Sequence, residues 1–140
     1  MSQNTAKTPV EPAIWRCAVP SPLRRTFDYL PSECCHGAAT PGARVTVPFG
    51  KRSVTAVILS ITAESSVEPA KLKAATALLD EQPLYIDTQR ALLSWAADYY
   101  QHPVGEVLPL GLSPRERRGQ PERALTETGI RLTARGQSDP

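Results

Sequence analysis

The 140-residue chain carries 16 basic and 14 acidic side chains, a formal net charge of +2, and 41% hydrophobic residues. That is enough for one domain with tails and too little for several independent cores. Fourteen prolines, twice the average usage of about 5%, fall at short intervals and exclude long uninterrupted helices.

Charge is unevenly spread. Residues 13–55 hold six basic side chains against Asp28 and Glu33, whereas residues 56–110 hold three basic against seven acidic ones. A basic amino-terminal half suits a polyanionic partner without establishing one. Three cysteines, at 17, 34 and 35, do not form a disulfide framework, which favours a reducing, cytoplasmic setting. No apolar run approaches the roughly 20 residues that cross a bilayer, and the start of the chain lacks a signal peptide's charged and hydrophobic regions, so no membrane association is expected.

In chain order, residues 1–11 are polar and without apolar periodicity, and are read as a disordered leader. Ile14, Trp15, Cys17 and Val19 mark a first strand over 13–19, stopped by Pro20-Ser21-Pro22, and Thr26 to Leu30 a second, bounded by Pro31. Ala43 to Val47 alternates apolar with polar and is predicted to end at Pro48; Phe49 to Arg52 reads as a turn into a long strand over 54–62, apolar enough for burial on both faces. Lys73 to Leu79 is a last strand, with helix as the alternative. Asp87, as N-cap, opens a helix to about Tyr100 with Trp95 and Tyr99 on its core face, and a second short helix spans 104–112, broken around Pro109. The Pro-, Arg- and Gly-rich residues 113–140 read as a linker, with Leu125 to Gly129 reminiscent of a winged-helix opening. The expected fold is α+β: a small OB-like β-barrel or sandwich over residues 12–112, closed by one or two helices.

Signatures of catalysis are missing. Gly50-Lys51 is followed by Arg52 and lacks the upstream glycine of a phosphate-binding loop, so ATP hydrolysis is not expected. Cys34, Cys35 and His36 are adjacent rather than spaced for a tetrahedral ion, and Cys17 and His102 are the only distant ligand candidates, so neither a metal site nor a cysteine nucleophile is predicted.

The most informative run is Arg24-Arg25-Thr26-Phe27-Asp28-Tyr29-Leu30-Pro31. Strand alternation sends Phe27 and Tyr29 to one face and Asp28 to the other. By pattern alone this is a strand with core aromatics and a polar outer face. Together with Gly42-x-Arg44-Val45-x-Val47-Pro48-Phe49-Gly50, Leu72-Lys73-Ala74 and Trp95-Ala96-Ala97-Asp98-Tyr99-Tyr100-x-His102-Pro103-x-Gly105, however, it resembles the 3′ DNA-binding domain that opens the replication-restart helicase PriA, over roughly residues 14–112.

That resemblance implies a non-enzymatic module holding the 3′ end of the nascent leading strand at a stalled or branched fork. It implies end-binding positions at Phe27, Asp28, Tyr29, Gly50 and Lys73. A carboxylate at 28 accepts a bond from a terminal hydroxyl, and an aromatic ring stacks on any base. Gly50 lets backbone approach the nucleotide, and Lys73 offers a point charge. Which of Phe27 and Tyr29 stacks is left open by the sequence. Arg25, Lys51 and Arg52 are further candidates for phosphate contact. The implied partners are DNA forks with a free 3′ end, single-stranded-DNA-binding protein and other primosome proteins, with the chain itself a monomer. ATP and zinc belong by this resemblance to the absent motor and zinc segments, not to this chain. The alternative is a protein-interaction module docking replisome or primosome components.

Overall fold

A computed structural model describes residues 13–33 and 39–121. The leader, the Cys34-Cys35-His36 loop and the residues after Pro121, including Leu125 to Gly129, lie outside the described residues. Among the described residues six strands form one sheet: β1 (Ile14–Ala18), β2 (Phe27–Leu30), β3 (Arg44–Phe49), β4 (Arg52–Thr62), β5 (Lys73–Ala74) and β6 (Ala77–Leu78), in the order β5-β2-β1-β4-β3-β6. The fold is the expected small OB-like α+β domain, a curled half-barrel with a few helices.

The curl follows from one short segment. β5 pairs parallel to β2 at one edge of the sheet, and β6 pairs antiparallel to β3 at the other. Between them Ala75 donates to the Leu30 carbonyl and Thr76 to the Thr46 carbonyl. The region expected to be a single last strand is therefore two bridges that tie opposite edges together, so the sheet must bend toward closure. A register shift between Arg16 and Cys17, where β1 pairs with β4, adds a local kink. Inside the curl, Trp15, Cys17, Tyr29, Val45, Val47 and Ile58 pack as one core. On the opposite face Ala18 and Val57 pack with Tyr85, Leu108 and Leu112, so the middle of β4 is buried on both sides, as its apolar sequence predicts.

That second face is covered by α1 (Asp87–Tyr99), α2 (Val104–Val107) and a 3₁₀ turn over Leu108–Gly111. Gly105 makes the close approach possible: a Cβ there would lie 1.7 Å from the Val19 carbonyl oxygen. A one-turn helix, α3 (Pro114–Arg117), begins at a capping box in which Ser113 and Glu116 exchange side-chain-to-backbone bonds.

Arg44 joins these parts. Its side chain is buried and meets Asp80 through two bonds, Nε to Oδ2 at 2.9 Å and Nη2 to Oδ1 at 2.7 Å. Nη1 donates to the carbonyls of Glu116 at 2.8 Å and Gln120 at 2.7 Å, and the Arg44 backbone N–H also reaches Asp80. One guanidinium thus fastens β3 to the segment after β6 and to residues 113–120.

Several expectations change. β3 continues through Pro48, where β6 no longer pairs with it and the missing N–H costs no ladder bond. Asp87 is the first helical residue, not the cap; Ile86 occupies that position and its N–H is bonded by the Gln89 side chain. Trp95 and Tyr99 are not core: they are 56% and 66% exposed, and the inward face of α1 is carried by Leu93 and Ala97. The apolar pattern of α1 is broad enough for two faces, and the short side of the sheet covers only one.

Asp80→Ala strands the buried Arg44 charge and is expected to cost about 3–5 kcal/mol of unfolding free energy, read from urea denaturation. Gly105→Ala forces α2 away from Val19 and is expected to cost about 1–3 kcal/mol in the same assay.

Candidate nucleic-acid interface

Where β2 begins, no strand lies beyond it among the described residues, because β5 pairs only with Tyr29 and Leu30. A cleft of about 760 Å³ opens along this free edge. Phe27, Asp28 and Tyr29 from β2, Gly50 from the β3–β4 hairpin and Lys73 from β5 all line it, as does Arg25. Lys51, in the hairpin turn, and Arg52, the first residue of β4, are exposed and are not among the lining residues. Three sequence-distant segments thus converge on one concavity.

Asp28 lies directly opposite Arg16 in the β1–β2 register. The guanidinium grips the carboxylate with two bonds, Nε to Oδ1 at 3.0 Å and Nη2 to Oδ2 at 3.2 Å. The Ser65 hydroxyl donates to Oδ2 at 2.6 Å from the loop after β4. Burial pushes the Asp28 carboxyl up, but the Arg16 bonds, the Ser65 bond and the attraction of the Arg16 charge outweigh it and hold the group below its usual range. An ionised carboxylate has about four lone-pair directions. Three donors occupy it here, which leaves acceptor capacity toward the cleft.

The two rings divide their roles. Tyr29 is buried, packs in the core, and donates its hydroxyl to the Pro48 carbonyl at 3.0 Å; burial pushes its phenol up to about 12. It is a wall. Phe27 is half-buried, with its ring edge-to-face on Phe49 at 5.1 Å and the Arg25 guanidinium 4.8 Å above its centroid. That stack of arginine on ring is a surface of the kind on which nucleobases lie.

Gly50 has φ +63° in the two-residue turn that reverses β3 into β4, and no atom lies within 4 Å of a Cβ built on it. Its requirement is conformational, as tight hairpins demand positive φ at this position. Lys73 is exposed beside Tyr29, and Lys71 pairs with Glu68 at 3.0 Å. Among the described residues the lining holds four cations, Arg16, Arg25, Lys71 and Lys73, against one carboxylate. The charge suits a phosphodiester chain.

Sequence reasoning missed Arg16 and Ser65. Arg16 had a usable signal, since a strand pairing of 13–19 with 26–30 sets it against Asp28; Ser65 sits in a loop with no pattern. Cys17 is buried in the core, where desolvation raises its thiol, and His102 is exposed and bonded to Glu106 at 3.0 Å. Among the described residues no three His, Cys, Asp or Glu side chains are grouped to hold a metal, and no helix is long and apolar enough to cross a membrane.

A family model described as a 3′ DNA-binding domain (3′BD), of PriA, matches residues 16–113. The replication restart protein PriA of Haemophilus influenzae is 36% identical over 126 residues, which is 89% of this chain and 17% of that protein. The PriA proteins of Buchnera aphidicola (strain APS) and Treponema pallidum are 30% and 29% identical, over 67% and 80% of this chain and 13% and 18% of their own lengths. The chain therefore spans less than a fifth of these relatives.

Because the Asp28 carboxyl is depressed, the unfolded chain binds the extra proton first. Its pairing therefore stabilises fully above its ordinary value of about 4 and is lost as pH falls through the lower folded value. Urea midpoints of wild type and Asp28→Asn, measured from pH 5 down to 2, are expected to converge at the acid end; a gap that stays constant contradicts an ionised Asp28.

Proposed function

The chain belongs to the PriA 3′ DNA-binding domain family, and from that premise we propose that it is a DNA-binding module of replication restart that captures the 3′-hydroxyl end of a nascent leading strand at a stalled or branched fork. The observation that carries the reading is the convergence of Phe27, Asp28, Tyr29, Gly50 and Lys73 on one cationic cleft at an open strand edge.

In this reading the terminal hydroxyl donates to the remaining acceptor site of Asp28. The terminal base lies against the Phe27 and Arg25 surface, and Tyr29 holds the cleft wall through Pro48. Lys73 and Arg25 face the phosphodiester. A stack and a hydroxyl bond carry no base code, so an end is recognised rather than a sequence. In the longer parent protein such a module orients an ATP-dependent motor; this chain contributes binding and no catalysis. Single-stranded-DNA-binding protein and other primosome proteins are proposed partners of the assembled parent, in the cytoplasm.

One observation favours the second reading, docking of replication-restart proteins: among the described residues nothing covers the apolar surface of Leu92, Trp95 and Tyr99 on α1 and of Tyr100 just after it. Fluorescence anisotropy separates the two readings, since a pure docking module does not bind a labelled fork at low salt.

Asp28→Ala removes a charge-assisted bond of about 1.5–3 kcal/mol, so it is expected to weaken binding to a labelled fork with a free 3′ end about ten- to hundredfold. In competition, circular single-stranded DNA should fail to displace that fork while linear DNA of equal length succeeds. Equal displacement by both counts against end capture.

A further inference from the structure

Asp28 presents a difficulty for a cleft meant to hold a polyanion. A bare carboxylate at its centre repels every phosphate that approaches. The structure resolves this through Arg16, whose side chain is 37% exposed while that of Asp28 is 6% exposed. The arginine, not the aspartate, is the better presented member of the pair.

Its donors are unequally used. Nε and Nη2 grip Asp28, and Nη2 also lies 3.4 Å from the Glu64 carbonyl. Among the described residues Nη1 makes no hydrogen bond, and Arg16 lines the cleft. A guanidinium is a rigid planar fork, so locking two of its nitrogens on a carboxylate fixes where the third points.

We propose that Arg16 is both the positioning residue of the 3′-end site and a phosphate contact: it holds Asp28 as a neutralised, oriented acceptor for the terminal hydroxyl and offers Nη1 to the phosphate that links the terminal nucleotide to the next. This rests on the end-capture reading above and adds to it a residue that couples hydroxyl recognition to backbone binding. The two functions use different atoms of one side chain. They are therefore separable by substitution.

The test uses the full 140-residue chain and matched oligonucleotides ending in a 3′-hydroxyl or in a 2′,3′-dideoxy nucleotide, which lacks the donor and adds no charge, titrated across a range of salt. Wild type gives two readouts: the ratio of the two affinities, which reports hydroxyl recognition, and the slope of log affinity against log salt, which counts phosphate contacts. Arg16→Gln is expected to bring the ratio to within about threefold of one and to lower the slope by about 0.7, one contact on a single strand. Arg16→Lys keeps a cation without the fork and guards against simple loss of fold; it is expected to keep the slope and lose most of the ratio. A wild-type ratio retained in both variants overturns the positioning role. An unchanged slope in Arg16→Gln overturns the phosphate contact. A wild type that itself shows no preference overturns the end-capture reading instead, and the slope then still decides the phosphate contact.

Discussion

The fold turns on a charge that has no access to water. Arg44 sits on a central strand with its guanidinium buried, and its bonds to Asp80, Glu116 and Gln120 draw in segments more than 30 and 70 residues away. Burying an ion is costly, and the cost is offset only when geometry and partners are complete. A fork of donors that meets a carboxylate on one side and two carbonyls on the other satisfies that condition. Residues after β6 and after the helices are thereby held on the same sheet that the core packs, and the sheet keeps its curl because its two edges share one connecting segment.

A second arginine–aspartate pair, Arg16–Asp28, has the same bidentate chemistry in a different setting. Arg44 meets its partner away from solvent and its remaining donors are taken up by backbone. Arg16 meets its partner at an open strand edge, lines a cleft, and leaves Nη1 without a hydrogen bond among the described residues. The first pair specifies structure and the second prepares a surface. The difference lies in what flanks each strand: at Arg44, β3 has β4 on one side and the Leu79 N–H just after β6 on the other, whereas among the described residues β2 at Asp28 is flanked by β1 alone.

Much of this was legible in the sequence. β-Prone residues ahead of a proline breaker located β1, period-two alternation located β3, a nearly continuous apolar run located β4, and the turn residues Gly50 and Lys51 located the hairpin between β3 and β4. The convergence of residues 27–29, 50 and 73 followed from resemblance, not from pattern, because no local rule brings a β5 lysine beside a β2 tyrosine. The division of labour between Phe27 and Tyr29 was not legible either. Alternation gives both rings the same face, and only the curl decides that Tyr29 lies deep enough to reach Pro48 while Phe27 stays at the rim. Trp95 and Tyr99 misled for a related reason: the helix has apolar residues on two faces, and burial of one depends on the width of the sheet beneath it. Arg44 gave no sign of its role, since a strand arginine usually points to solvent.

End capture depends above all on a hydrogen bond from the terminal hydroxyl to Asp28. It is tested most directly by titrating the wild-type chain with two forks identical except that one leading strand ends in a 3′-hydroxyl and the other in a 2′,3′-dideoxy nucleotide, which deletes the donor without adding charge. Affinity for the dideoxy fork is expected to be about tenfold or more lower, the worth of a hydrogen bond to an ionised group. Equal affinities would contradict it.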